Sequence, residues 1–92
     1  MKVKPSSMIK RRYLLIEDSN KKEIEKIILD YLGILGYAKS IPQFIQKGEN
    51  LILAVERSQL TNIRAAFEIS DSNAKIIRVS GTIKGLKIKD KN

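Results

Sequence analysis

The residue types best suited to chemistry lie near the end of the chain, where hydroxyl, glycine and lysine residues follow one another. Ser80-Gly81-Thr82 is followed by Lys84, Lys87 and Lys89, with no carboxylate among residues 80–89. A turn of this composition can direct backbone N–H groups at a phosphate, and the lysines add positive charge. The segment therefore predicts an anion-binding turn, although such a triplet also serves to end a strand and to cap a helix.

Other residues with catalytic potential are scattered or missing. The chain contains no histidine and no cysteine, which excludes a zinc site built from them, an imidazole base and a nucleophile–imidazole pair. Two-metal chemistry needs several convergent carboxylates, whereas Glu17 and Asp18 are the only two that are adjacent in the sequence. No glycine-rich nucleotide loop is present. We therefore expect no catalytic residue, no metal ligand and no cofactor in this chain.

Length and composition predict one small domain. The 92 residues are enough for a single modest core. No apolar run approaches the ~18 residues of a membrane helix, and no signal-peptide core precedes Pro5-Ser6-Ser7. The lack of cysteine fits an intracellular protein. We expect a cytoplasmic protein with no membrane association and one domain over residues 1–92.

The net charge of +8 is concentrated at the two ends of the chain. Residues 1–12 contain five cations and no acid, and residues 83–92 contain four lysines and one aspartate. The middle, 13–82, has nine basic and nine acidic residues. The ends are either flexible solubilising tails, at about 1–9 and 87–92, or two parts of one polyanion-binding patch. The fold decides between these interpretations.

Hydrophobic periodicity predicts six elements in the order strand, helix, strand, strand, helix, strand. The predicted strands are 11–17, 43–47, 51–56 and 74–80, and the predicted helices are 21–35 and 59–69. Asn20 with Glu23 resembles a capping box, and Gly36 suits the left-handed position after the first helix. The predicted buried stripes are Ile24, Ile27, Ile28, Tyr31, Leu32 and Leu35 on the first helix, and Leu60, Ile63, Ala66 and Phe67 on the second.

This order is that of an α+β, ferredoxin-like or RNA-recognition-like βαββαβ sandwich, an antiparallel sheet with two helices on one face. In its usual form the first and last strands are neighbours, so residues 10–12 would lie beside residues 80–84. Base stacking needs aromatic residues on the central strands, but the third strand has none and the first has only Tyr13. The pattern favours recognition of RNA phosphates and shape. The apolar second face of the sheet predicts a protein interface at Tyr13, Leu15, Ile52 and Ala54.

Four segments resemble the protein component 2 family of ribonuclease P. They are Arg11-Arg12-Tyr13-Leu14, Leu32-Gly33-Ile34-Leu35-Gly36, Arg57 with Ile63-Arg64-Ala65-Ala66, and Val79-Ser80-Gly81-Thr82-Ile83-Lys84. The resemblance runs in order over about residues 10–86, and the last segment is its most specific part.

The resemblance implies a non-catalytic subunit of archaeal or eukaryotic-type ribonuclease P, the ribonucleoprotein that removes the 5′ leader from precursor tRNA. It implies that the RNA is the catalyst and binds the magnesium. It also implies that component 2 pairs with protein component 3, supports the catalytic domain of the RNA and self-associates into a two-plus-two assembly, which would contact precursor tRNA. On this hypothesis the RNA-binding residues are Lys10, Arg11, Arg12, Ser80, Gly81, Thr82, Lys84, Lys87 and Lys89.

The residues alone leave two alternatives open. One is a small ferredoxin-like regulatory module that binds a metabolite at turns such as Gly48 or Gly33–Gly36. The other is a different subunit that binds structured RNA.

Overall fold

The computed structural model describes residues 10–87. Its elements are β1 (Arg11–Glu17), α1 (Lys21–Ser40), β2 (Gln43–Lys47), β3 (Asn50–Glu56), α2 (Leu60–Ile69) and β4 (Lys75–Ser80). Two 3₁₀ turns lie at Arg57–Gln59 and at Lys84–Leu86, and the latter is called the C-terminal 3₁₀ turn below. Flexible tails were predicted at about 1–9 and 87–92; Lys87 is described, whereas residues 1–9 and 88–92, which include Lys89, lie outside the described residues.

The four strands form one sheet in the order β2-β3-β1-β4, and every neighbouring pair is antiparallel. β1 is central, with Leu14 opposite Leu53 of β3 on one side and Val79 of β4 on the other. Both helices pack on the same face of the sheet and against each other. This arrangement confirms the predicted α+β, ferredoxin-like βαββαβ fold, and it makes β2 and β4 the two edge strands.

The main core lies between the sheet and the helices. Alternate residues of the two central strands point into it, as the period of a β-strand requires. The buried members are Leu14, Ile16, Ile24, Ile27, Ile28, Leu51, Leu53, Val55, Ile63, Ala66, Phe67 and Ala74. The predicted apolar stripe of α2 is therefore confirmed, with Leu60 partly buried at its start.

α1 departs most from the predicted structure. It begins as expected, with the Asn20 side chain accepting a hydrogen bond from the Glu23 N–H at 2.9 Å, but it continues to Ser40 instead of ending at Leu35. Gly33 interrupts it with φ 77° and ψ 177°, a conformation that is essentially restricted to glycine. Gly36 is not in the left-handed region, which Ile41 occupies instead.

The interruption at Gly33 changes which side of α1 is buried. Tyr31 and Leu35 were predicted in the buried stripe, but they are 44% and 69% exposed. Leu35 follows Gly33 and no longer continues the helical phase of the first segment, which is why its predicted burial is wrong. Tyr31 precedes the break, so its exposure is a separate departure from the predicted stripe. Among the described residues, no helix is long and apolar enough to span a membrane.

Candidate nucleic-acid interface

The start of β1 and the end of β4 lie side by side, as the topology predicts. Tyr13 is the pairing partner of Ser80, and a Cβ atom added to Gly81 would lie 3.4 Å from Nη1 of Arg12. The guanidinium group of Arg12 therefore rests against the Ser80–Thr82 turn. The interpretation of the N-terminal cations as an isolated tail does not hold for Arg11 and Arg12, because both belong to β1.

The hydroxyl groups of the turn stabilise its own backbone. Ser80 Oγ accepts a hydrogen bond from the Thr82 N–H at 3.2 Å, and Thr82 Oγ1 accepts one from the Gly85 N–H at 2.9 Å. Two of the N–H groups that could have faced a phosphate are thus already bonded. Each hydroxyl still has its own O–H to donate to a phosphate oxygen. The turn can therefore bind an anion mainly through hydroxyl groups and cations.

The C-terminal 3₁₀ turn folds back tightly onto the end of β4. A Cβ atom on Gly85 would lie 2.0 Å from Ser80 Oγ, so position 85 has no room for a side chain. Leu86 is fully buried outside the main core, and the turn contacts β1 and β4. This packing leaves Lys84 and Lys87 exposed next to the strand ends.

The cations at this end of the sheet retain donors for a ligand. Arg11 Nη1 donates to the Ile41 carbonyl at 3.0 Å, and Arg12 Nη1 donates to the Arg11 carbonyl at 3.1 Å, but a guanidinium group has five N–H donors. The Lys10 carbonyl accepts a hydrogen bond from the Arg57 N–H at 2.8 Å. This bond fixes the backbone of Lys10, whose side chain is exposed. The ion pair between Lys26 and Asp30 lies on α1, away from this surface.

We call this surface the basic patch. Its described members are Lys10, Arg11, Arg12, Ser80, Gly81, Thr82, Lys84 and Lys87. They share one end of the sheet and come from two segments that are almost 70 residues apart. Within residues 10–87 no three histidine, cysteine or carboxylate side chains converge to hold a metal ion.

The four residues predicted as a protein interface lie on the sheet face opposite the helices, but they are not equally accessible. Tyr13 and Leu15 are partly buried, whereas Ile52 and Ala54 have no exposed surface. Central strands are flanked on both sides, so short side chains such as that of Ala54 are easily covered by their neighbours. In this conformation Ile52 and Ala54 cannot touch a partner.

Exposed apolar residues also lie on the helices, where the sequence predicted none. Ile34, Leu35 and Ile69 are 82%, 69% and 63% exposed, and a groove lined by Tyr31, Leu35, Ala65 and Ile69 runs between α1 and α2. We call this surface the helix patch. Gly33 inside a helical pattern was the available signal, because a break there exposes apolar residues that would otherwise continue the buried stripe.

Comparison with known proteins assigns the chain to a family. No family model matches the sequence. A curated relative, ribonuclease P protein component 2 of Thermococcus gammatolerans, is 36% identical over 103 aligned positions, which cover 92% of this chain and 86% of the relative. At that identity over nearly the whole chain, and with a fold that agrees, the chain belongs to the ribonuclease P protein component 2 family.

Proposed function

We propose that this chain is a non-catalytic subunit of ribonuclease P that binds the catalytic RNA during removal of the 5′ leader from precursor tRNA. The observation that carries the proposal is the convergence of Arg12 with the Ser80–Thr82 turn, where a Cβ on Gly81 would come within 3.4 Å of Arg12 Nη1. Cations from both ends of the described chain thereby form one surface. Such a surface suits the phosphates of a folded RNA.

The chemistry of cleavage is proposed to belong to the RNA. This chain offers no imidazole or thiol, and within its described part no cluster of carboxylates could hold a metal. We therefore assign the magnesium ions of the reaction to the RNA, as the family resemblance implies. The role left to the protein is to neutralise phosphates and hold the catalytic domain of the RNA in its active fold.

Reconstitution tests this proposal directly. Precursor-tRNA cleavage by the RNA with the other protein subunits should be faster, or should need less magnesium, when this chain is added. The variant Lys84→Gln/Lys87→Gln should reduce the slope of log affinity against log salt by roughly 0.7 to 0.9 for each phosphate that the protein no longer neutralises.

The matched control removes the same charge elsewhere. Lys22 on α1 and Lys47 on β2 are exposed and lie outside the basic patch, so Lys22→Gln/Lys47→Gln should leave the slope nearly unchanged. Equal slopes for the two double variants would remove Lys84 and Lys87 from the RNA interface. No effect of the chain on cleavage under any magnesium concentration would contradict the subunit role.

We further propose that the helix patch, rather than Ile52 and Ala54, contacts a protein partner. The resemblance names protein component 3 and a second copy of this chain. Contiguous exposed apolar residues on a soluble protein usually mark an interface, and Leu35, which lines the groove, is 69% exposed. Its burial by a partner would stabilise the complex by about 1.5 to 3 kcal/mol.

A charge introduced into the helix patch should therefore weaken assembly. Light scattering of the wild-type chain, alone and with component 3, should give a dimer or aggregate alone and a defined complex with the partner. Leu35→Lys should reduce both kinds of association, whereas Thr61→Lys, at an exposed position of α2 outside the groove, should not. Identical masses for both variants and the wild type would place the protein interface elsewhere.

A further inference from the structure

The outer edge of β4 carries positive charge, although β4 belongs to the segment 13–82, whose basic and acidic residues are equal in number. Residues 74–87 contain Lys75, Arg78, Lys84 and Lys87 and not one carboxylate. Lys84 and Lys87 belong to the basic patch. Lys75 and Arg78 lie on β4 itself and are exposed. Since β4 is the last strand of the sheet among the described residues, the cations follow its outer edge.

A third cation reaches this edge from the helix layer. Arg64 of α2 and Lys75 line a cleft of about 320 Å³ whose wall includes the ring of Phe67. Glu68 also lines this cleft, and Glu17 is the β1 neighbour of Lys75. Within the described chain, neither carboxylate forms an ion pair with a cation of the edge. The three cations therefore keep their charge available to a ligand.

The shape of the edge is unsuited to a further strand. The register of β4 against β1 shifts between Leu15 and Ile16, so that Ile77 has no partner and is 46% exposed. A bulge of this kind bends and twists a strand, and lysines on an edge oppose pairing with another strand. A polyanion, however, needs no backbone ladder and is attracted by the same cations.

The opposite edge provides an internal comparison. Residues 43–49, which include β2, contain one lysine, Lys47, and one glutamate, Glu49. The two edges of the same sheet thus differ in charge, and the basic edge is the one that runs into the basic patch. From Lys75 to Ser80 the strand spans roughly 17 Å at about 3.3 Å per residue, which is enough to follow several consecutive phosphates.

We propose that Arg64, Lys75 and Arg78 form a second phosphate-binding track along the edge of β4, continuous with the basic patch and contacting the same RNA. This inference rests on the proposed function, because it extends the proposed RNA-binding surface. It adds a direction to that surface: the RNA backbone runs along β4 away from the Ser80–Thr82 turn instead of crossing the sheet towards β2.

Salt-dependent binding tests the track. Affinity would be measured against log salt for a transcript of the catalytic domain of ribonuclease P RNA and for an unrelated folded RNA of equal length. Lys75→Gln/Arg78→Gln should lower the slope by roughly 0.7 to 0.9, and the affinity by about 5- to 8-fold near 0.1 M salt, for each phosphate involved. Lys22→Gln/Lys47→Gln is again the control and should change neither quantity.

A proximity experiment shows which edge the RNA follows. Because the chain has no cysteine, a single Ile77→Cys or Lys47→Cys substitution can be labelled uniquely with an iron chelate that generates hydroxyl radicals. Cleavage of the bound RNA from position 77, and not from position 47, is the expected result. Circular dichroism of each variant checks that the fold is retained.

The outcomes separate the two proposals. The track alone is refuted if Lys75→Gln/Arg78→Gln leaves the slope unchanged and position 77 yields no cleavage. In that outcome the catalytic-domain transcript is still preferred, and Lys84→Gln/Lys87→Gln still lowers the slope. In that case the edge cations serve only to prevent strand pairing. If both RNAs bind equally while the edge variant lowers the slope, the track stands and the specific subunit role fails. Failure of the wild-type chain to bind either RNA would overturn both.

Discussion

Replacing Gly85 with alanine should detach the C-terminal 3₁₀ turn from the end of β4. The new Cβ would lie 2.0 Å from Ser80 Oγ and 3.1 Å from both Ser80 Cβ and Thr82 Oγ1. Rotation of the Ser80 side chain relieves only the shortest of these contacts, and it breaks the hydrogen bond from the Thr82 N–H. The other two contacts remain too close, so the turn itself must move.

The expected cost follows from what the movement disrupts. Loss of one hydrogen bond costs about 1 kcal/mol net. A larger shift also exposes Leu86, which is fully buried, and exposing a leucine side chain costs about 1.5 to 3 kcal/mol. We therefore expect the free energy of unfolding to fall by about 1 to 4 kcal/mol, with the upper value if Leu86 leaves its site.

Two measurements distinguish local detachment from a global effect. Urea unfolding followed by circular dichroism gives the change in the free energy of unfolding. Limited trypsin digestion reports on the turn itself, because Lys84 and Lys87 become better substrates when the backbone around them is released. In the Gly85→Ala variant we expect the rate of cleavage to increase more at these two lysines than at other sites, relative to the wild type. We also expect weaker RNA binding.

Gly81→Ala is the matched control. Its new Cβ would meet only the guanidinium of Arg12, at 3.4 Å and beyond, and Gly81 does not have a positive φ. Its stability should stay within about 0.5 kcal/mol of the wild type. In a Ser80→Ala background the cost of Gly85→Ala should shrink, because the shortest contact is gone. Equal stability and equal trypsin resistance of the two alanine variants would refute the assigned role of Gly85.

Three further predictions concern α1. Gly33→Ala should lower the free energy of unfolding by about 1 to 3 kcal/mol, because φ 77° and ψ 177° are accessible essentially to glycine alone; an unchanged urea midpoint would contradict this. Glu23→Ala should cost about 1 kcal/mol and speed hydrogen exchange in the α2–β4 loop, because Glu23 accepts a hydrogen bond from Ser72; equal exchange rates would show that this bond does not hold the loop. The pKa of Tyr37 is raised from 10.0, first because burial disfavours the phenolate and then because the hydroxyl donates to Glu25. The folded state therefore holds this proton more tightly than the unfolded state, so its contribution is complete below pH 10.0 and declines as the pH rises through the folded value. Tyr37→Phe should show a smaller alkaline loss of stability than the wild type, and identical profiles would refute the assignment.

The order of the elements and most of the core could be predicted from the sequence. The central residues of β1 form a continuous apolar run, and apolar residues repeat at three and four positions in α2; both patterns are local properties of the chain. The confirmed burial of Leu14, Ile16, Ile63 and Phe67 follows from them. The proximity of Arg12 to the Ser80–Thr82 turn could also be predicted from the sequence, because the βαββαβ order fixes which strands are adjacent.

The path of α1 after Leu32 could not be predicted in the same way. A single glycine at a non-helical φ and ψ redirects the following residues, and periodicity continued through Gly33 places Leu35 on the wrong side. The accessibility of the second sheet face was equally unpredictable. Whether Ile52 is open or covered depends on packing from distant parts of the chain, which no local pattern records.

The sequence by itself determined the fold class, the family resemblance and the charged ends, because each depends on residue types in a fixed order. Only the tertiary structure decided how the turn at Ser80–Thr82 is built and which charges surround it. Its hydroxyl groups bond their own backbone, and Gly85 closes the turn against β4. The sheet order β2-β3-β1-β4 makes β4 an outer strand, so Lys75 and Arg78 join the basic side, with Glu17 as the β1 neighbour of Lys75.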